Sequence, residues 1–261
     1  MNIVCCVKQV PDPNTVVYQV DPGTKRLVRT GVPNVLDPGA EVALEEALRL
    51  AERTPDSAVT VLSMGPETAT EAIRRALAMG ANEGALVTDP ALAGSDTLGT
   101  ARALAAAIKQ QPFDIVFCAT ESTDGYSGMV PGMVAEFLGI PLLSFVRKIE
   151  IEGGVATAQR VTAHGYQVIT CTLPAVVTIA SGTNEPRYPP LKGIMQAKRK
   201  QVQTYDLAAL GLSPSDAGEA GARERVLALQ AAEERGAGEI IEDDGSGATR
   251  IADFLQQRGI I

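Results

Sequence analysis

The chain has 261 residues, of which 45% are hydrophobic, and a formal net charge of −8. That supplies a core for one large domain or two modest ones, and the acidic balance argues against nucleic acid as the main partner, since phosphate-backbone binding needs a basic surface. One histidine, His164, no tryptophan, and four cysteines without CxxC or metal-ligand spacing leave little for a hydrolytic triad or a metal centre.

The opening MNIVCCVKQVPD has neither the cationic start nor the long apolar core of a signal peptide. No apolar run nears the roughly 20 residues that cross a bilayer. A cytoplasmic chain without direct membrane insertion is expected. Asn2–Val10 reads as a continuous apolar strand that stops at Pro11. YQVDPGTKRLVRT reads as a hairpin turning at Asp21-Pro22-Gly23. DPGAEVALEEALRLAER predicts a helix with Asp37 as N-cap and Pro38 at its first position. Val42, Leu44, Ala47, Leu48 and Leu50 approximate its apolar face. AVTVLSM (Ala58–Met64) is a strand, and Gly65-Pro66-Glu67 turns it into a helix stopped by Gly80. GALVTD is a third strand, SDTLGTARALAAAIKQQ a helix capped by Ser95 or Asp96, and DIVFCAT a fourth strand. A glycine-containing turn, TESTDGYSGMVPG, then opens another helix with Pro131 in its first turn.

Such alternation, with strands that do not themselves alternate, predicts an α/β fold: an open, mostly parallel, doubly wound sheet covered on both faces. Ligands of such sheets bind beyond the carboxyl ends of the strands. Here those ends are Cys6-Val7-Lys8, Ser63-Met64-Gly65 and Ala119–Asp124. The N–H groups and partial positive charge at a helix N-terminus attract phosphate. Gly125–Val130 could therefore hold a nucleotide or could only turn the chain; there is no Walker lysine and no GxGxxG. Lys8 could face an anion or be a solvated strand end, and Asp37 could touch a ribose or serve only as a cap.

After Gly139 the runs divided by Glu152-Gly153-Gly154 and His164-Gly165 read as antiparallel strands added to the sheet. NEPRYPPLKGIM follows, stiffened by Pro186, Pro189 and Pro190 yet carrying Tyr188, Leu191, Ile194 and Met195. It reads either as a buried connection or as an anchor for a partner's pocket. From about Leu210 the composition turns to Ala, Gly and Glu, and acids outnumber bases about two to one. So little burial cannot offset ordering entropy alone, which leaves a disordered tail or an arm folded on something else. The boundary is placed between 1–209 and 210–261. Ile251, Phe254 and Leu255 share one face of a closing helix.

NEPRYPPLKGIMQAKRK resembles the signature segment of electron transfer flavoprotein beta subunits. VKQVPD, NVLDPGAEVALEEALRL, GPETATEAIRRALAMGA, STDGYSGMVPGMVAEFLGIP and ADFLQQRGII resemble the same family, in order along essentially the whole chain. The resemblance implies an adenine nucleotide alpha hydrolase-like fold and a heterodimer with an alpha subunit that holds most of a redox-active FAD. It also implies acyl-CoA and related dehydrogenases as electron donors and a quinone oxidoreductase as an acceptor. This chain would bind a structural AMP, or a second FAD in electron-bifurcating relatives, and its arm would wrap the alpha subunit.

Nucleotide contacts carried over from the family fall on Cys6, Val7, Lys8, Asp37, Met64, Asp124, Gly125, Ser127, Gly128, Met129 and Val130. Partner docking falls on Glu185, Pro186, Arg187, Tyr188, Leu191, Ile194 and Met195, within a loop at about 184–200. Two departures stand out. Gly128-Met129-Val130 replaces the Asn-Gln-Thr of many AMP-binding members, so phosphate would be met by backbone N–H groups and Ser127. Val161 stands where many members have a glutamate that touches the mobile flavin domain. An electron carrier subunit without catalytic residues of its own is the favoured reading, with a bifurcating subunit and a nucleotide-binding regulatory protein as alternatives.

Overall fold

A computed structural model describes residues 1–230, 238, 240 and 242–261. It divides into two compact units, Met1–Leu227 and Ala228–Ile261. In chain order the first unit runs β1 (Asn2–Cys6), β2 (Gln9–Pro11), β3 (Val20–Asp21), β4 (Arg26–Leu27), β5 (Asn34–Leu36), α1 (Pro38–Arg53), β6 (Ala58–Met64), α2 (Thr70–Met79) and β7 (Glu83–Val87). Then come α3 (Thr97–Ile108), β8 (Ile115–Ala119), α4 (Val130–Leu138), β9 (Leu142–Glu152), β10 (Val155–Thr162), β11 (Gly165–Thr172), β12 (Ala175–Ile179), α5 (Leu191–Ala197), β13 (Val202–Tyr205) and α6 (Gly218–Gly221).

One nine-stranded sheet carries the fold, in the order β11-β10-β9-β12-β8-β1-β6-β7-β13. Every pairing from β9 through β12 to β13 is parallel, whereas β9, β10 and β11 pair antiparallel. The central strands are mostly apolar because both faces are covered, with Ser63 of β6 and Thr178 of β12 the buried polar exceptions among the described residues. Ile3 and Cys5 of β1 join the cluster built with α1 and α2; Val4 between them joins the cluster built with α3 and α4. Phe117, fully buried in β8, belongs to the first cluster.

The expected elements are present, with four differences of placement. Asn2–Val10, expected as one continuous strand, is divided: β1 ends at Cys6, and β2, which includes Pro11, pairs antiparallel with β5 in a separate two-stranded sheet. Ala175–Ile179, grouped in the sequence with the antiparallel runs, is a parallel strand between β8 and β9. Val202–Tyr205, expected in no strand, pairs with β7 at the sheet edge. The first unit also runs past residue 209, because small residues let the chain approach closely there: a Cβ on Gly218 would lie 2.0 Å from Ala91 O. Gly218 N donates to Ser95 Oγ at 3.0 Å, and Ala217 is buried.

The predicted caps are explicit. Asp37 Oδ1 accepts from Gly39 N at 2.8 Å and Ala40 N at 3.2 Å. Asp96, rather than Ser95, caps α3 through Gly99 N at 2.8 Å. In the second unit α7 (Gly247–Gln257) leaves Ile251 and Phe254 more than half exposed, with Leu255 half-buried. Residues 231–237, 239 and 241 of the acidic stretch lie outside the described residues. No helix among the described residues is long and apolar enough to cross a membrane.

Candidate functional site

The parallel strands end on one side of the sheet, and their ends surround a cleft of about 930 Å³. Cys6, Val7 and Lys8 reach it from β1, Met64 from β6, and Cys118 and Ala119 from β8. Asp37 and Ala40 line it from the start of α1, and Gly125, Ser127, Gly128, Val130 and Pro131 from the turn into α4. Nine of the eleven residues expected to contact a nucleotide thus share one wall system: Cys6, Val7, Lys8, Asp37, Met64, Gly125, Ser127, Gly128 and Val130.

The other two lie elsewhere. Asp124 is beneath the wall, its side chain wholly shielded. One oxygen takes Lys8 Nζ at 2.6 Å and the other takes Arg29 Nη2 at 2.6 Å and Nε at 3.1 Å. Burial pushes its carboxyl pKa up, but the charges and hydrogen bonds of Lys8 and Arg29 outweigh that and hold it below the usual carboxylate value. Met129 instead lines a neighbouring hollow of about 350 Å³ with Phe145, Met133 and Leu142.

Asp37 joins two elements. Its Oδ2 accepts from Thr123 N at 2.8 Å and Thr123 Oγ1 at 3.0 Å while Oδ1 caps α1. A Cβ on Gly39 would lie 3.3 Å from the Ala119 Cβ, so this glycine lets α1 begin against the end of β8. Lys8 also donates to Ser122 Oγ at 3.1 Å. The floor of the α4 turn is therefore braced from below by Lys8, Arg29 and Asp37.

The upper surface of that turn is open. Tyr126 and Gly128 have φ of 48° and 63°, the left-handed region. Among the described residues no backbone carbonyl accepts from the N–H groups of Ser127, Gly128, Met129 or Val130. Such N–H groups with a helix dipole behind them suit a phosphate ester or another anion.

Sequence reasoning missed half of the rim. Lys25, Arg26 and Arg29 line the cleft from the β3–β4 hairpin, and Arg223–Val226 from beyond α6. Asp96 Oδ2 holds that segment by accepting from Arg223 N at 2.6 Å and Glu224 N at 3.3 Å. The basic run TKRLVR was the available signal, but it read only as a hairpin arm. Lys8 and Arg225 also line the cleft, as do Asp96, Glu121, Glu219 and Glu224; Arg26 is paired with Glu219, and Lys8 and Arg29 with Asp124. Cys6 and Cys118 stand together at its base; the hydrogen bond to Cys6, then burial, pushes the Cys118 thiol pKa well up, so it is a neutral group.

The expected docking residues form a separate surface. Tyr188, Leu191 and Met195 are 81%, 74% and 57% exposed. Glu185 is exposed, whereas Pro186, Arg187 and Ile194 are half-buried and Pro189 is buried. His164 sits in the β10–β11 turn, and Val161 near that turn is partly exposed.

The fold and cleft define a doubly wound α/β protein with a nucleotide-sized crevice at its strand ends. The electron transfer flavoprotein domain family matches residues 24–210. Electron transfer flavoprotein subunit beta of Thermoanaerobacterium thermosaccharolyticum is 41% identical over 263 residues, covering 100% of both chains. The same-named protein of Megasphaera elsdenii is 36% identical, with 99% of this chain and 97% of that one covered. Caffeyl-CoA reductase-Etf complex subunit CarD of Acetobacterium woodii is 37% identical over 98% of this chain and 96% of its own. The chain belongs to the electron transfer flavoprotein beta subunit family. It is an electron carrier protein, and membership implies a flavin and an alpha subunit partner.

The residues present fit a phosphate-bearing ligand of nucleotide size. The cleft volume lies at the upper end of the usual small-molecule range of about 300–1,000 Å³. The open N–H row at α4 answers a phosphate, and Met64, Val7 and Leu104 offer apolar wall.

Proposed function

We propose that this chain is the scaffold and docking subunit of a heterodimeric electron transfer flavoprotein, acting in the cytoplasm. Its FAD, held mainly by the alpha subunit, accepts electrons from acyl-CoA or related dehydrogenases and passes them to a quinone oxidoreductase or another acceptor. The flavin supplies the redox chemistry when bound; this chain contributes a fixed frame, a nucleotide cleft and a docking surface. The observation that carries the reading is the meeting of Cys6–Lys8, Met64, Gly125, Ser127, Gly128 and Val130 around one cleft, with Tyr188, Leu191 and Met195 exposed on a separate surface.

In the cleft, Ser127 and the N–H groups of Gly128, Met129 and Val130 hold the phosphate of AMP. Lys8 orients the turn through Asp124 and Ser122, which take two of its three ammonium donors. The segment after Leu227, in this reading, wraps the alpha subunit through the apolar face of α7. Purified heterodimer should show flavin reduction by an acyl-CoA dehydrogenase with its acyl-CoA substrate; a flavin that no dehydrogenase of this class reduces would refute the donor assignment.

A second reading places FAD in the same cleft, with electron bifurcation from NADH. The cleft volume favours it, being larger than a mononucleotide requires. The likeness to a subunit of a caffeyl-CoA reductase-Etf complex gives it support as well.

A further inference from the structure

Glu45 lies on α1, outside the docking loop, and its side chain is only 3% exposed. A carboxylate in such a place is costly unless it is paired and hydrogen-bonded. Its oxygens accept four bonds: Arg49 Nε at 2.7 Å, Arg187 N at 3.1 Å, Arg187 Nε at 2.8 Å and Arg187 Nη2 at 3.2 Å. Burial pushes the Glu45 pKa up, but the bonds from Arg187 and Arg49 bring it below the usual carboxylate range, so the group is an anion.

Arg187 is the first loop residue to be gripped on both its backbone and its side chain. Its guanidinium also pairs with Glu52. A planar fork on two carboxylates fixes direction as well as distance. Two weaker ties hold the same segment to α1: Arg49 Nη2 to Glu185 O at 3.3 Å and Asn184 Nδ2 to Val42 O at 3.1 Å.

The far end of the loop is held by α2. A Cβ on Gly193 would lie 2.3 Å from Ala78 O, so α5 rests directly on α2. Arg74 Nη1 donates to Ala197 O at 2.6 Å, and the Arg75 guanidinium lies 5.2 Å from the centroid of the Tyr188 ring. Between these two anchorages stand the exposed Tyr188, Leu191 and Met195. A loop ordered before contact loses less freedom on binding, so more of its contact energy appears as affinity.

We propose that Glu45 is a positioning residue for partner docking: through Arg187 it fixes the backbone at Glu185–Pro190, so that Tyr188, Leu191 and Met195 stand in binding geometry before a protein partner with an apolar pocket arrives. This rests on the docking role of the loop given above. Glu45 itself touches no partner.

The test uses the full heterodimer and an acyl-CoA dehydrogenase with its acyl-CoA substrate, with flavin reduction followed against dehydrogenase concentration. Glu45→Gln and Arg187→Lys should each raise KM for the dehydrogenase about tenfold and change kcat by less than about twofold. Hydrogen exchange of residues 184–197 should quicken in both, and chemical reduction of the flavin by dithionite should keep its wild-type course. Arg187→Lys carries the test should Glu45→Gln fail to fold. A raised KM in Leu191→Ala with unchanged KM in the Glu45 and Arg187 variants overturns the positioning role alone. Unchanged KM in all three overturns the docking role of the loop, and the proposal with it.

Discussion

Thr123 donates both its N–H and its hydroxyl to Asp37 Oδ2, at 2.8 and 3.0 Å, across 86 residues of sequence. One buried carboxylate thus sets the start of α1 against the turn that forms the cleft. Asp37→Ala removes a helix cap and leaves the Thr123 donors unpaired. A loss of about 2–3 kcal/mol in urea unfolding is expected. A loss below about 0.5 kcal/mol would show that the turn does not depend on this residue.

Gly128 bears on the cleft differently. Its φ of 63° is a conformation that a β-branched residue resists. Gly128→Val should therefore move the N–H row and release bound nucleotide, measured as nucleotide retained after desalting. Met129→Leu should retain it, because Met129 lines the neighbouring hollow rather than the cleft. Equal retention in the two variants would contradict backbone recognition.

The Lys8–Asp124–Arg29 cluster predicts a pH dependence. Asp124 has a folded pKa below the ordinary carboxylate value of about 4. Its contribution is therefore complete above the unfolded pKa and is lost as pH falls through the folded one. Asp124→Asn should flatten the decline of thermal midpoint between about pH 5 and pH 2. Parallel curves for wild type and variant would assign that decline to other groups.

Leu191 is 74% exposed, so its truncation should leave the urea midpoint within about 0.5 kcal/mol of wild type. Electron uptake from a dehydrogenase should nonetheless slow at low donor concentration. Unchanged uptake would remove Leu191 from the docking surface.

Much of the cleft was legible because its wall consists of strand ends and a capped helix, which leave local marks: apolar runs, Asp37 before Pro38, and glycines at the turn. The rim was not. Arg29 meets Asp124 across 95 residues, and Arg223 meets Asp96 across 127, pairings that no local period encodes. Composition alone does not mark Gly218 and Ala217 as part of the first unit, because they look like poor core residues, whereas the missing side chain of Gly218 is what lets the chain pack against Ala91. For β12 a short apolar run indicates a strand, but not between which neighbours it lies, and β13, Val202–Tyr205, is too short and polar to show as a strand at all.

The central claim is that the cleft at Cys6–Lys8, Met64 and Gly125–Val130 holds an adenine nucleotide. The most direct measurement is to denature purified heterodimer, quantify every nucleotide released, and repeat with Gly128→Val. One FAD and one AMP per wild-type heterodimer, with AMP absent from the variant, is the predicted result; two FAD and no AMP would transfer the same cleft to the bifurcating reading. FAD alone at one per heterodimer in both proteins would contradict the claim.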